Sequence, residues 1–355
     1  MTKNILIAGG AGFIGSHLCE RLLKQGANVI CLDDLSTSSG KNILGFLQKR
    51  NFKFVQANVR SKLNEISDLN IRFHEIYNLA CAASPDFYQK KPIATLKTSI
   101  DGSLNLLELA RQNHSKYFFS STSEVYGDPQ EYPQKETYFG NVNPVGKRAC
   151  YDEGKRVGEC LATDYSKLHS IEVRIARIFN TYGPGMLERD GRVASNFICQ
   201  ALTNSPITIY GQGDQTRSFC FVDDLLDGIQ SLMEDNVHYS SPVNLGNNYE
   251  LTINEFAKKI ISLTNSSSKL IYMSLPKDDP KRRCPDLSLA QKLLNYKPKI
   301  SLHSGLSTTI KYFEKVIASS SNYELSEHDN IVLNSNNVRG DSLKSQTIEE
   351  YRSIF

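Results

Sequence analysis

The chain has 355 residues and a formal net charge of +3, with 22% of its residues charged. That length suits one large domain or two interlocked ones of roughly 100–200 residues each. The balanced charge excludes the basic stripe of a nucleic-acid binder, so no nucleic-acid partner is expected and any anionic ligand must be gripped locally.

In chain order, NILIA, SHLCERLLKQG, NVICLDD, FKFVQAN, EIYNLA, TLKTSIDGSLNLLELARQN and KYFFSS alternate short β-branched apolar runs with helical patterns. Repeated strand, helix, strand implies parallel pairing with right-handed crossovers, so the predicted fold class is α/β, a Rossmann-like doubly wound parallel sheet. Any ligand then belongs at the carboxyl ends of the strands. Residues 1–178 are read as this domain. Residues 179–320 read as a smaller C-terminal substrate-binding lobe, with about 217–245 returning to the first domain. The Ser-, Asn- and acid-rich residues 321–355 are expected to form a mobile tail, with docking of IEEYRSIF left open.

Eight cysteines (Cys19, Cys31, Cys81, Cys150, Cys160, Cys199, Cys220, Cys284) are scattered with no C-x-x-C pair, which suits reduced cytosolic thiols and gives no reason to expect a metal. MTKN runs directly into ILIAGG, and no apolar run is long enough to span a bilayer. A soluble, cytoplasmic protein with no membrane partner is expected.

GGAGFIGS follows the first strand and opens a helix, with Gly9, Gly12 and Gly15 three apart and Gly10 completing a G-x-G-x-x-G reading. Such glycines allow a tight turn and bring backbone amides up to a pyrophosphate at a helix N-terminus. Asp33 ends the second strand 18 residues after Gly15, followed by Asp34. A carboxylate there accepts from the ribose hydroxyls and repels a 2′-phosphate, so NAD is the expected cofactor. Asn58 and Val59, after the third strand, stand where the adenine edge would lie.

RACYDEGKR holds Tyr151 and Lys155 four apart, on one face of a helix. A neighbouring ammonium favours the phenolate of a tyrosine whose ordinary pKa is ~10, making a proton acceptor for an alcohol. Alone, Y-x-x-x-K also describes a surface tyrosine on a charged helix. Together with the glycine turn and the hydroxyl-bearing SSTSEVYGD, it resembles the extended short-chain dehydrogenase/reductase family, whose members modify nucleotide sugars. STSEVYGDP, NPVGKRACYDEGKR, ARIFNTYGPGM, DGRVASNFI, YGQGDQTRSF and SPVNLGN are similar to the UDP-glucuronate decarboxylases of that family, over about residues 3–315.

The resemblance implies that Tyr151 takes the proton of the sugar 4-hydroxyl as NAD oxidises C4. The resulting β-keto acid loses carbon dioxide, and the product is then reduced. Thr122 would hydrogen-bond the reacting hydroxyl, and Glu124 would act near C5 or orient a water. Related 4,6-dehydratases have an aspartate where Ser123 stands. Phe13, Ile14, Leu79 and Thr98 would join the cofactor site, and Arg283, or its neighbour Arg282, would close on the sugar and diphosphate. Arg192 and Arg217 are further anion contacts, Asn180, Asn196, Tyr210 and Gln212 would hold diphosphate and uridine, and Tyr88 and Lys97 would meet sugar or cofactor.

Three positions depart from the family pattern: Ser99 for asparagine, Asn58 for aspartate, and Ala82 for proline in the loop that carries Asp86. Packing of residues 96–111 and 151–165 from two subunits would make a homodimer. The alternatives are a 4-epimerase or 4,6-dehydratase on the same scaffold, or a non-catalytic nucleotide-sugar binder.

Overall fold

A computed structural model describes residues 2–234, 236–276 and 280–329. The strands Asn4–Ala8 (β1), Asn28–Asp33 (β2), Phe52–Gln56 (β3), Glu75–Asn78 (β4), Lys116–Thr122 (β5) and Val173–Ile178 (β6) join a seventh, Pro242–Leu245, in one sheet. Its order runs from the seventh strand through β6, β5, β4, β1 and β2 to β3. Every pairing in it is parallel, so the doubly wound α/β expectation is met.

Side chains alternate across such strands. Ile5 and Ile7 of β1 enter a core on one face, while Leu6 and Ala8 enter the core on the other. Both faces are therefore buried, which is why the strands read as continuous apolar runs. The chain reverses direction across the sheet at β1, between β2 and β4. There Gly9 donates to Leu32 and Leu79 to Ala8, at 2.8 and 2.9 Å, and the cleft this reversal leaves is where doubly wound sheets bind ligands.

Predicted helices lie at Phe13–Lys24, Val193–Leu202 and Ile253–Thr264, the last closed by a Thr252/Glu255 capping box. The long helix expected around TLKTSIDGSLNLLELARQN runs without a break from Pro92 to Asn113, with one π-turn, Thr98–Gly102, between Pro92–Lys97 and Ser103–Asn113. Beside the sheet, Thr216–Ser218 pairs antiparallel with Glu250–Thr252 and parallel with Arg282–Arg283. The last helix, Leu302–Asp329, runs into the stretch expected to be a tail. Residues 330–355, with IEEYRSIF, lie outside the described residues.

Candidate active site

A cavity of about 540 Å³ opens at the carboxyl ends of the central strands, between the glycine turn and the segments around residues 180–197 and 208–219. Gly9, Gly12, Phe13, Ile14 and Gly15 line it beside Leu79. Gly9 has φ +80°. A Cβ on Gly9 would come within 2.7 Å of the Leu79 backbone, and one on Gly15 within 2.1 Å of the Gly9 carbonyl. Gly12 starts the helix Phe13–Lys24 with no side-chain cap, leaving first-turn amides for an anion.

Asp33 accepts from the Ala11 amide at 3.0 Å and the Leu35 amide at 2.9 Å. Burial, with help from Asp34, raises its pKa against those amides. Asn58 donates to Asp34 at 2.5 Å, and Val59 packs against Gly102. Asp33, Asp34, Asn58 and Val59 thus gather at the ends of β2 and β3, behind the cavity lining rather than in it. Thr98 is also off the lining, its hydroxyl bonded to the Ala94 carbonyl at 2.9 Å. Ser38, which local sequence does not single out, lines the cavity with a buried, unpartnered hydroxyl.

The helix Ala149–His169 brings Tyr151 and Lys155 against the end of β5. Lys155 Nζ donates to the Ser120 carbonyl at 2.7 Å and stands 5.9 Å from the Tyr151 ring. The Tyr151 hydroxyl is hydrogen-bonded to Thr122, and its ring stacks on Tyr88 at 5.1 Å and 4°. Burial pushes the Tyr151 phenol well up, with Cys81, Glu124 and Tyr88 adding to it against the Thr122 bond. Burial also lowers the Lys155 ammonium. Burial thus works against the phenolate that helix spacing favours, while the ammonium is bonded to the Ser120 carbonyl.

Glu124 meets Arg283 at 2.8 and 2.9 Å and Arg148 at 2.6 Å. Burial opposes its charge most strongly, but Arg283, Arg148 and Arg217 overcome it and hold the carboxyl at about 2. Successive strand residues face opposite ways. Arg283, level with Arg217, therefore points inward, while Arg282 points outward to a bidentate pair with Glu250 at 2.7 Å. Buried Gln134 fixes that segment, exchanging backbone bonds with Cys284 and Asp286 and accepting the Cys284 amide at 2.7 Å on its side chain.

Ser123, Asn180, Arg192, Asn196, Tyr210 and Arg217 also line the cavity. Arg192 is ion-paired with Asp190. Gln212 is exposed and off the lining; Gln215 takes that place and donates to the Tyr210 carbonyl at 2.7 Å. Lys97 is exposed in the last turn of its helix, and Tyr88 is buried behind Tyr151. Asp86 lines the cavity against Gly191, and Cys81, beside Ser99 at 3.3 Å, lines it near Tyr151. Sequence reasoning passed over Arg148, which its spacing of three and seven residues before Tyr151 and Lys155 signals. Cys81 has no such local signal. Among the described residues no His, Cys, Asp and Glu cluster suits a metal, and no helix is long and apolar enough to cross a membrane.

Residues 5–246 match the NAD dependent epimerase/dehydratase family. The chain is 47% identical over 320 residues to UDP-glucuronic acid decarboxylase 1 of Xenopus tropicalis, covering 90% of this chain and 74% of that one. It is 47% identical over 303 residues to UDP-glucuronic acid decarboxylase 3 of Arabidopsis thaliana, covering 85% and 86%. Among solved structures it is similar to UDP-glucuronic acid 4-epimerase from Bacillus cereus in complex with UDP-glucuronic acid and NAD, with TM-score 0.79, 27% identity, and 88% and 99% of the two chains covered. UDP-glucose 4-epimerase with UDP-glucose from Thermotoga maritima gives TM-score 0.80, 29% identity and the same coverage.

Proposed function

The chain belongs to the NAD dependent epimerase/dehydratase family, and from that premise we propose that it is a UDP-glucuronic acid decarboxylase, forming UDP-xylose and carbon dioxide. Its high identity to curated decarboxylases over most of the chain carries this reading.

The residues present fit NAD. The glycine cradle has room for backbone against a pyrophosphate but none for a Cβ, Asp33 sits at the end of β2 as a carboxylate that disfavours a 2′-phosphate, and the buried Ser38 hydroxyl lacks a partner. When bound, NAD supplies the two-electron oxidation of C4 and its reversal.

Tyr151 takes the proton of the 4-hydroxyl while Thr122 hydrogen-bonds the same group. Tyr151 accepts that proton as the phenolate, its own proton having passed to solvent beforehand, and the Lys155 ammonium 5.9 Å from its ring favours that form. Lys155 holds the helix face against Ser120. The ketone at C4 lies β to the C6 carboxylate; the C5–C6 bond breaks, carbon dioxide leaves, and the electron pair passes into an enolate. Ser123 carries no acid to expel a 6-hydroxyl and no charge to repel the carboxylate, which disfavours dehydration. Glu124 lies near C5, and Arg283 and Arg217 supply the cationic wall for the substrate's anionic groups. Asn180, Asn196, Arg192 and Tyr210 form the diphosphate and uridine end. The helices spanning residues 96–111 and 151–165 form the homodimer contact.

The test is incubation of the purified protein and NAD with UDP-glucuronic acid, following carbon dioxide and the product by mass. Equimolar carbon dioxide and UDP-xylose are expected. A nucleotide sugar of unchanged mass would instead indicate epimerisation.

A further inference from the structure

Gln134 is fully buried and off the cavity lining, yet it grips the chain immediately after Arg283. Its amide donates to the Cys284 carbonyl at 2.9 Å, and its carbonyl accepts from the Asp286 amide at 2.8 Å. The side chain adds two more bonds: Oε1 accepts from the Cys284 amide at 2.7 Å, and Nε2 donates to the Glu131 carbonyl at 3.0 Å. Acceptor and donor ends are both engaged, which fixes the orientation of the carboxamide.

Arg283 needs such an anchor. Its strand is two residues long and lies at a sheet edge, paired on one side only, with Thr216 and Arg217. The carbonyl of Arg283 and the amide of Cys284 belong to one planar peptide unit. Ser218 donates its hydroxyl to that carbonyl at 3.4 Å, and Gln134 Oε1 takes the amide from the other side. From this held peptide the arginine reaches Glu124 with both terminal nitrogens, at 2.8 and 2.9 Å. A two-point guanidinium contact tolerates little displacement of its base.

Gln134 is held in turn by Asn244, whose Nδ2 donates to the Gln134 carbonyl at 2.9 Å and the Asp286 carbonyl at 3.2 Å. Asn244 Oδ1 accepts from the Tyr126 hydroxyl at 2.8 Å, which accepts from Arg177 at 3.0 Å. Arg177 pairs at 2.7 Å with Glu159, on the helix that carries Tyr151. One hydrogen-bonded path therefore runs from the Tyr151 helix to the peptide behind Arg283.

We propose that Gln134 is a positioning residue for Arg283: by holding the Arg283–Cys284 peptide, it aims the guanidinium at Glu124 and at the substrate's anionic groups. The inference rests on the decarboxylase reading, in which Arg283 meets the substrate.

The test measures the affinity of NAD-loaded Tyr151→Phe protein for UDP-glucuronic acid by calorimetry, where turnover does not consume the ligand. Added Gln134→Met keeps the side-chain length and removes both polar ends; it should weaken binding about tenfold and leave NAD affinity unchanged. Gln134→Glu keeps the acceptor, and burial favours its protonated form, whose hydroxyl can serve the Glu131 carbonyl; it should recover most of the loss. With Arg283→Ala also present, Gln134→Met should cost nothing further, because the two act as one unit. Unchanged affinity in Gln134→Met overturns the inference. So does an equal loss with and without Arg283, which would mark Gln134 as merely structural. If Gln134→Met does not retain NAD, Ser218→Ala carries the comparison, since it frees the carbonyl of the same peptide. A loss of about threefold that vanishes without Arg283 is expected, and no loss overturns the inference. Wild-type protein that releases no carbon dioxide overturns the decarboxylase reading, whereas release by wild type with undiminished affinity in the Gln134 variants overturns the inference alone.

Discussion

In the glycine turn, Gly9, Gly12 and Gly15 form a cradle within seven consecutive residues, whereas the wall opposite joins Glu124 to an arginine 159 positions away. The turn works by what is missing, since a single Cβ would collide with backbone. The wall works by compensation: Glu124 is stable as an anion only because arginines from separate segments outweigh its desolvation. A substitution in the turn should therefore act sterically, and one in the wall electrostatically, with consequences that reach distant partners.

The largest effect is expected where the wall meets the proposed chemistry. Tyr151→Phe keeps the ring that stacks on Tyr88 but removes the proton acceptor, so turnover should drop about 10²–10⁴-fold with NAD binding retained. Parallel assays of carbon dioxide release and cofactor titration would check this, and near-normal turnover would remove Tyr151 from that role. Arg283→Ala strips Glu124 of its bidentate partner and should cost about 3–5 kcal/mol, as for a broken buried pair. Urea unfolding measures it, and a loss below about 1 kcal/mol would show that Arg148 and Arg217 suffice.

Acid should expose the same dependence. The Glu124 carboxyl is held below its ordinary 4.5, at about 2, so its stabilisation is present above pH 4.5 and lost as pH falls towards 2. The loss amounts to roughly 3 kcal/mol. Unfolding curves at the two ends of that window should show it in the wild type and not in Glu124→Gln. Gly15→Ala should cost about 1–3 kcal/mol through overpacking, with weakened NAD binding and no change in acid sensitivity, as thermal melts at two pH values would reveal. The smallest effect belongs to Arg282→Ala. Its pair with Glu250 is at the surface, with the arginine side chain 48% exposed, and its loss should cost less than about 1 kcal/mol and leave turnover intact. A collapse in activity would mean that the outward and inward roles of the two arginines had been reversed.

The neighbours Arg282 and Arg283 show where sequence reading stops. Both have the same local surroundings in KRRCPD, and neither composition nor spacing separates them. The pairing of Arg283 with Arg217, and the hold of Gln134 on Cys284, turn one guanidinium inward and the other out. The Tyr151 proton balance lies beyond the same limit. Helix spacing brings Lys155 near, but burial and the Ser120 carbonyl decide what the ammonium does.

By itself, the sequence determined the parallel α/β sheet, the glycine turn and the helical face shared by Tyr151 and Lys155. Each is a constraint of backbone geometry or side-chain period acting within a few residues. The tertiary structure decided which charges are buried together, Glu124 with Arg148, Arg217 and Arg283, and it set Tyr88 behind Tyr151 and Gln212 and Lys97 away from the cavity. Those outcomes depend on desolvation and on partners distant in the chain, so the ionisation of this site is a property of its assembled environment.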